Sequence, residues 1–170
     1  MNAMEEPEDP EALERRLGYT FRDRALLERA LMRPARAHEE GLPDEAHQEA
    51  LATLGDAIIS VIVIQSAIHR GMHKKGEITA EKMRTVSLLS LNEVGRALHL
   101  QTYIRFNKGE RKQRIWECSD ALTETLEAIV GAIYLDGGME RAAEALHSVL
   151  RMASEDPFRG ADRESAPERL

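Results

Sequence analysis

A chain of 170 residues with a formal net charge of −7 is long enough for one domain with a proper core and too short for two comfortable ones. Aromatic residues make up only 4%, so the core has to be aliphatic, and Cys118, the only cysteine, excludes an internal disulfide and points to a reducing compartment. The opening Met1 to Glu11 has neither the basic nor the apolar region of a signal or transit peptide. The apolar run Ile58 to Ile68 falls short of the about 20 residues a bilayer requires. A soluble, cytoplasmic protein with no membrane partner is expected, and the acidic balance decides nothing about nucleic acid, because binding depends on local patches.

Residues 1–10 read as a mobile acidic tail, 11–153 as one domain and 154–170 as a second mobile tail, since both ends lack apolar periodicity. Leu13 and Leu17 begin a short amphipathic helix that Gly18 terminates. Asp23 caps a second helix with Leu26, Leu27 and Leu31 inward, ended by Pro34. Arg36 to Leu42 reads as a polar loop. Pro43 then opens a long helix that runs to about Arg70 and stops at Gly71, roughly 40 Å at ~1.5 Å per residue. Thr79 to Leu88 and Leu91 to Leu100 give two more helices, the second capped by Ser90. Tyr103 to Phe106 is a short extended connection into a polar, basic loop ending near Trp116. Ser119 or Asp120 caps a helix to Asp136, broken by Gly137-Gly138, and Met139 to Met152 forms the last helix. No alternating strand pattern of useful length occurs, so the predicted fold class is all-α.

Two acidic pairs adjoin the longest apolar runs. Glu49 lies seven residues before Asp56, which opens Ile58-Ile59-Ser60-Val61-Ile62-Val63-Ile64. Glu124 and Glu127 precede Ala128-Ile129-Val130-Gly131-Ala132-Ile133-Tyr134-Leu135. Spacings of seven and three keep each pair on one helix face. Carboxylates at the edge of a buried helix are costly unless hydrogen-bonded or bound to a cation, so two such helices could build an all-oxygen site for Mg²⁺ or Mn²⁺. Gly55 and Gly131 each cost about 1 kcal/mol relative to alanine in a helix interior. A close helix–helix approach beside each acidic pair is the reading that justifies both.

The stretch Glu49-Ala-Leu-Ala-Thr-Leu-Gly-Asp56-Ala resembles the signature helix of ribonuclease III, whose usual pattern is Glu-Arg-Leu-Glu-Phe-Leu-Gly-Asp-Ala. Leu126-Glu127-Ala-Ile-Val-Gly-Ala-Ile-Tyr-Leu-Asp136-Gly-Gly138 resembles the family's second acidic helix. Arg16-Leu-Gly-Tyr-Thr-Phe-Arg-Asp23, Ala25-Leu-Leu-Glu-Arg-Ala30 and Lys108-Gly-Glu110 add three further matches in the family's order. The resemblance implies the ribonuclease III endonuclease-domain fold and a divalent-metal-dependent endoribonuclease. Such an enzyme cleaves double-stranded or structured RNA to 5′-phosphate and 3′-hydroxyl ends. It also implies a homodimer in which two acidic sites face one cleft. Asp56 and Glu127 occupy two catalytic, metal-holding positions unchanged. Glu124 stands where the family usually has Asp, and Glu49 matches a glutamate that lies further from the metal. Ala52 replaces the second glutamate of the signature, as in the compact relatives called Mini-ribonuclease III, and Thr53 replaces an aromatic of the dimer contact.

For RNA contact the candidates are Arg105, Lys108, Arg111, Lys112 and Arg114 on one side, with Lys74 and Lys75 beside His69, Arg70 and His73 on another. Duplex RNA is read by shape and phosphate contacts, so no sequence motif is expected. The long enzymes append a double-stranded-RNA-binding domain, and the stretch after the last expected helix is too short to hold one. Ala52 and Thr53 keep open a second reading, a non-catalytic RNA-binding or ribosome-associated module; a helical scaffold without RNA rests only on the acidic charge. Glu144-x-x-His147 resembles half of a di-iron motif whose other half is absent from the sequence, and Cys118 reads as a buried or loop thiol rather than a nucleophile.

Overall fold

The computed structural model describes residues 7–118 and 120–155, and its elements are helical: among the described residues the single strand-like feature is an isolated parallel bridge between Met32 and Arg105. The predicted all-α class holds. Helix α1, Pro10–Leu17, is capped by Asp9, whose side chain accepts from the Glu11 amide, and closed by Gly18 at φ +67°. Asp23 caps α2, Arg24–Ala30, as predicted, by accepting from the Ala25 amide at 3.0 Å.

Several boundaries differ, each for a local reason. Pro34 does not end α2; it opens α3, Pro34–Glu39, within the expected polar loop. Proline at the first helical position has no amide to leave unpaired, and Ala37 gives that turn a buried face. Pro43 precedes a 3-10 turn, Asp44–Ala46, and extended backbone at His47 delays the long helix α4 to Glu49–His69. Helix α5, Lys75–Thr85, starts four residues early, and α6, Leu88–Ala97, is capped by Ser87 rather than Ser90, its hydroxyl accepting from the Ser90 amide. Inside the expected basic loop lies α7, Lys108–Gln113, held by a capping box between Asn107 and Glu110. Helix α8, Ala121–Glu155, is two arms joined at Gly138, whose φ of +86° only glycine adopts freely.

Ser119, one of the two expected caps of α8, lies outside the described residues, as do residues 1–6 and 156–170 of the two expected tails. The inner part of the first tail belongs to the fold: the Glu8 amide donates to the Thr102 carbonyl and Asp9 caps α1. Ser154 and Glu155 likewise continue α8.

The core is aliphatic, as composition requires, with Phe21, Tyr103 and Phe106 as its few buried rings. Its axis is the packing of α4 against the first arm of α8. Helix α4 has 21 residues and an 18-residue stretch with a mean hydropathy of 1.9, by length and composition alone sufficient for a membrane span and longer than the run judged from sequence. Leu51, Gly55, Ile58, Ile59, Ile62, Val63 and Ala67 are buried in the core.

Two glycines set how closely the helices approach. A Cβ on Gly55 would lie 1.7 Å from the Glu127 carbonyl oxygen, and one on Gly131 would lie 2.2 Å from the Leu51 carbonyl oxygen. Backbone meets backbone at both points, so no side chain can move aside. At the far end of this arm, Asp136 accepts from the Tyr19 hydroxyl at 2.6 Å and from the Arg22 and Asp23 amides at 2.9 Å. Burial raises its pKa. The Tyr19 bond, the two amides and the Arg22 charge outweigh that and leave Asp136 below the ordinary aspartate value, while the Tyr19 hydroxyl is pushed up to about 12 by its own burial and then by Asp136. This carboxylate thus ties the α1–α2 turn to the arm.

Gly55→Ala and Gly131→Ala each gain about 1 kcal/mol of helix propensity but force the two backbones apart. Each is expected to destabilise the protein by about 3 kcal/mol or more, and urea unfolding followed by circular dichroism measures the loss. A variant as stable as the parent would mean the helices do not cross in contact here.

Candidate metal and nucleic-acid site

The Gly55 contact dictates where the acids sit. Asp56 follows Gly55 on α4, and Glu127 supplies the carbonyl that Gly55 meets on α8, so the close approach brings these two residues to one place. Asp56 is exposed and Glu127 is half-buried. The Glu127 pKa is raised to about 7, first by burial and then by the charges of Asp56, Glu124 and Asp120. Asp56, Glu124 and Glu127, singled out from the sequence, therefore share one electrostatic neighbourhood. Asp120, read only as a helix cap, joins them.

Glu49 does not. It is exposed at the start of α4 with its carboxylate 3.9 Å from His47 Nε2. Ala52 presents a methyl group packed against the core, so α4 offers one carboxylate, Asp56, to the cluster around Glu127.

Arg33 is the residue that sequence reading missed. Its guanidinium donates through Nη1 to the Glu124 carboxylate and through Nε to Glu110 at 3.2 Å. Only 13% of the side chain is exposed. Gln48, buried, holds it from below: the Gln48 amide nitrogen donates to the Ala30 carbonyl at 2.9 Å and to the Thr125 hydroxyl at 3.0 Å, and its oxygen accepts from Arg33 Nη1 at 3.1 Å. The segment is fixed by the parallel bridge, in which the Arg105 amide donates to Leu31 and the Arg33 amide to Arg105. The one signal available in the sequence was a lone cation after Ala30-Leu31-Met32, and nothing in the spacing linked it to Glu124, 91 residues away.

A half-buried carboxyl held up by three like charges is one that a divalent cation would relieve. The donors are all oxygen, which suits Mg²⁺ or Mn²⁺. Asp56 and Glu127, with Glu124 beside them under the Arg33 guanidinium, fit such an ion.

The family model described as ribonuclease-III-like matches residues 23–153. The chain belongs to that family. A Ribonuclease 3 of Oleidesulfovibrio alaskensis strain G20 is 39% identical over 137 residues, which are 80% of this chain and 59% of that protein. One from Magnetococcus marinus strain MC-1 is 37% identical over 147 residues, 84% of this chain and 60% of the relative. The chain therefore spans about three-fifths of the length of these relatives. The crystal structure of the nuclease domain of Campylobacter jejuni ribonuclease III matches with a TM-score of 0.76 at 26% identity, over 88% of this chain and 98% of that one. A second structure of that domain, described for flexibility in its region involved in dimer formation, gives 0.73 at 28% identity.

On this ribonuclease III fold the basic candidates separate into groups. Arg105, Lys108 and Arg111 line one cleft, joined by Arg36 and by Glu8, Glu28 and Glu40. Lys112 is exposed on α7. Arg114, in a left-handed conformation that closes α7, pairs with Glu117 at 2.6 Å. Lys74 and Lys75 stand at the start of α5, remote in sequence from that cleft, with Lys74 3.8 Å from Glu77. Helix α7 is anchored to the acidic cluster through Glu110, Arg33 and Glu124, which sets a basic helix beside an acidic site.

The raised Glu127 pKa has a sign that can be tested without metal. Folding favours its protonated form, so between about 4.5 and about 7 the folded protein binds more protons than the unfolded chain. The group opposes folding only once ionised: its cost is absent below the unfolded value and complete above pH 7. Metal-free wild type is expected to lose more stability between pH 5 and pH 8 than Glu127→Gln, by about 1 kcal/mol after allowance for partial solvation. Urea midpoints in EDTA at the two pH values measure this; equal losses would show that Glu127 is not held above its ordinary value.

Proposed function

We propose that this chain is a divalent-metal-dependent endoribonuclease that hydrolyses phosphodiester bonds in double-stranded or structured RNA, leaving 5′-phosphate and 3′-hydroxyl ends. The observation that carries this reading is the convergence of Asp56, Glu124 and Glu127 across the Gly55–Gly131 crossing, with Glu127 raised to about 7 by burial and by its neighbours. The chemistry supplied by a bound Mg²⁺ or Mn²⁺ would be Lewis-acid relief of charge on phosphoryl oxygens and activation of a water. Asp56 and Glu127 would hold the ion. Glu124, kept in place by Arg33, would orient the outer side of the cluster. Arg105, Lys108, Arg111 and Lys112 would contact phosphates along the duplex, with Arg114, Lys74 and Lys75 as more distant contributors.

A second reading, a non-catalytic RNA-binding module, is favoured by Ala52 and by the commitment of Glu124 to Arg33. One experiment separates the two. Purified protein incubated with a labelled RNA duplex is expected to cleave it with Mg²⁺ or Mn²⁺ and not in EDTA. Asp56→Asn and Glu127→Gln should each slow cleavage by at least about 100-fold, more than the loss of an outer-shell partner costs. Binding without metal-dependent cleavage would move the protein to the second class, and cleavage that survives both substitutions would belong to a contaminant.

The working form in this reading is a homodimer. On α4, Ala57, Val61, Ile64 and Ile68 fall on one stripe at helical spacing, and Val61 and Ile68 are 47% and 46% exposed. An apolar stripe on the helix that carries Asp56 suits a self-complementary two-fold contact. Light scattering at tens of micromolar is expected to report a dimer, and Val61→Glu a monomer, because two like charges would face each other at the axis. A monomeric parent would remove paired cleavage from the mechanism.

A further inference from the structure

Outside the acidic cluster, three potential metal ligands converge where α3 leads into α4. His38 Nε2 lies 3.8 Å from Asp44 Oδ1, and His47 Nε2 lies 3.6 Å from the same oxygen. The three ligand atoms all fall within 4.8 Å of one another. The imidazole rings of His38 and His47 stand edge to face at a centroid separation of 6.2 Å. We propose that His38, Asp44 and His47 form a binding site for a zinc-class divalent transition cation, distinct from the acidic site and independent of the nuclease reading.

The geometry is close to what such an ion needs. Ligand bonds of about 2.0–2.1 Å in a tetrahedral site place donor atoms about 3.3 Å apart. The His–Asp separations exceed that by a few tenths of an ångström and the widest pair lies within 4.8 Å, so the site has to contract on the ion, and both His38 and Asp44 have exposed side chains free to move inward. His47 supplies the rigid member, since its side chain is only 5% exposed and held between the 3-10 turn and the start of α4. Its Nε2 is directed at carboxylates beyond hydrogen-bond range, Asp44 at 3.6 Å and Glu49 at 3.9 Å. Glu49, expected from the sequence at the acidic site, instead adds negative charge here.

Two imidazoles and one carboxylate select for Zn²⁺, Co²⁺ or Ni²⁺ over Mg²⁺, which prefers oxygen alone. Coordination through His47 Nε2 places the ring proton on Nδ1. The bond Nδ1 accepts from the Glu49 amide is then given up, and at 3.4 Å it is a weak one. In return the ion pins residues 38–47, the connection that sets the start of α4 and precedes Gln48, the buried support of Arg33.

Tag-free protein stripped of metal and titrated with Co²⁺ tests this. One equivalent is expected to give the intense visible d–d absorption of a tetrahedral centre, displaced by Zn²⁺ and not by excess Mg²⁺. His38→Gln and Asp44→Asn, both at exposed positions, should each weaken Co²⁺ binding at least about tenfold with an unchanged circular dichroism spectrum. Asp56→Asn should leave the band intact. Zn²⁺ at 100 times its dissociation constant should raise the thermal midpoint by about 5–10 °C, and His38→Gln should abolish that rise. No tetrahedral band, a band untouched by the His38 and Asp44 substitutions, or a band lost in Asp56→Asn would each overturn the proposal.

Discussion

The contact on which the rest of this structure depends is between two backbones. At Gly55 and Gly131, α4 and α8 approach to a separation that no side chain at either position would permit. The cost is the about 1 kcal/mol that each glycine loses in helix propensity. What the contact achieves is placement: Asp56 and Glu127 flank it, so the carboxylates ride on two rigid helices rather than on loops. Burial of Ile58, Ile59, Ile62 and Val63 on one side and of Ala128, Ile129, Ala132 and Ile133 on the other keeps the helices pressed together. The hydrophobic drive to bury these residues is the force that holds like charges near each other. Glu127 registers both effects, its pKa raised first by burial and then by the neighbouring charges.

Arg33 answers part of the same repulsion. An arginine that is 13% exposed needs partners for its guanidinium; Arg33 has two carboxylates and, on Nη1, the Gln48 oxygen. Gln48 is in turn tied to Ala30 on α2 and Thr125 on α8. The charged layer thus rests on a buried polar network, and Arg33 passes its constraint outward through Glu110 to the first turn of α7. The position of a basic helix beside an acidic site follows from one side chain.

What could be read in the sequence was whatever is periodic or local. The apolar runs after Asp56 and Glu127, the stops at Gly18 and Gly71, the Asp23 cap and the paired glycines all have signatures within one or two turns, and each stands in the structure. The misplacements have the same origin in reverse. Helix α3 was missed because Ala37 is its one buried residue, and α5 began early because it buries none, so neither has an apolar stripe to detect. The Asn107–Glu110 capping box was visible as residues three apart but was submerged in a run of charges. Arg33–Glu124, Gln48–Thr125 and Asp136 with the α1–α2 turn join residues 77 to 117 apart in the chain. No local pattern encodes such pairs.

Ala52 and Arg33 acquire meaning together. The resemblance to ribonuclease III implies a site of four carboxylates, a charge that would oppose folding unless cations or protons covered it. In this chain alanine removes one negative charge from the face of α4, and an arginine fixed from below covers another on α8. Both features act in the same direction, reducing the uncompensated negative charge that the two helices carry. The same arginine also pairs with Glu110 in the first turn of α7, the helix that carries Lys108, Arg111 and Lys112. The departure at position 52 is therefore one part of a charge arrangement in which an arginine pairs with one of the remaining acids, while Glu127, raised by burial and by Asp56, Glu124 and Asp120, is left as the carboxyl a cation would relieve.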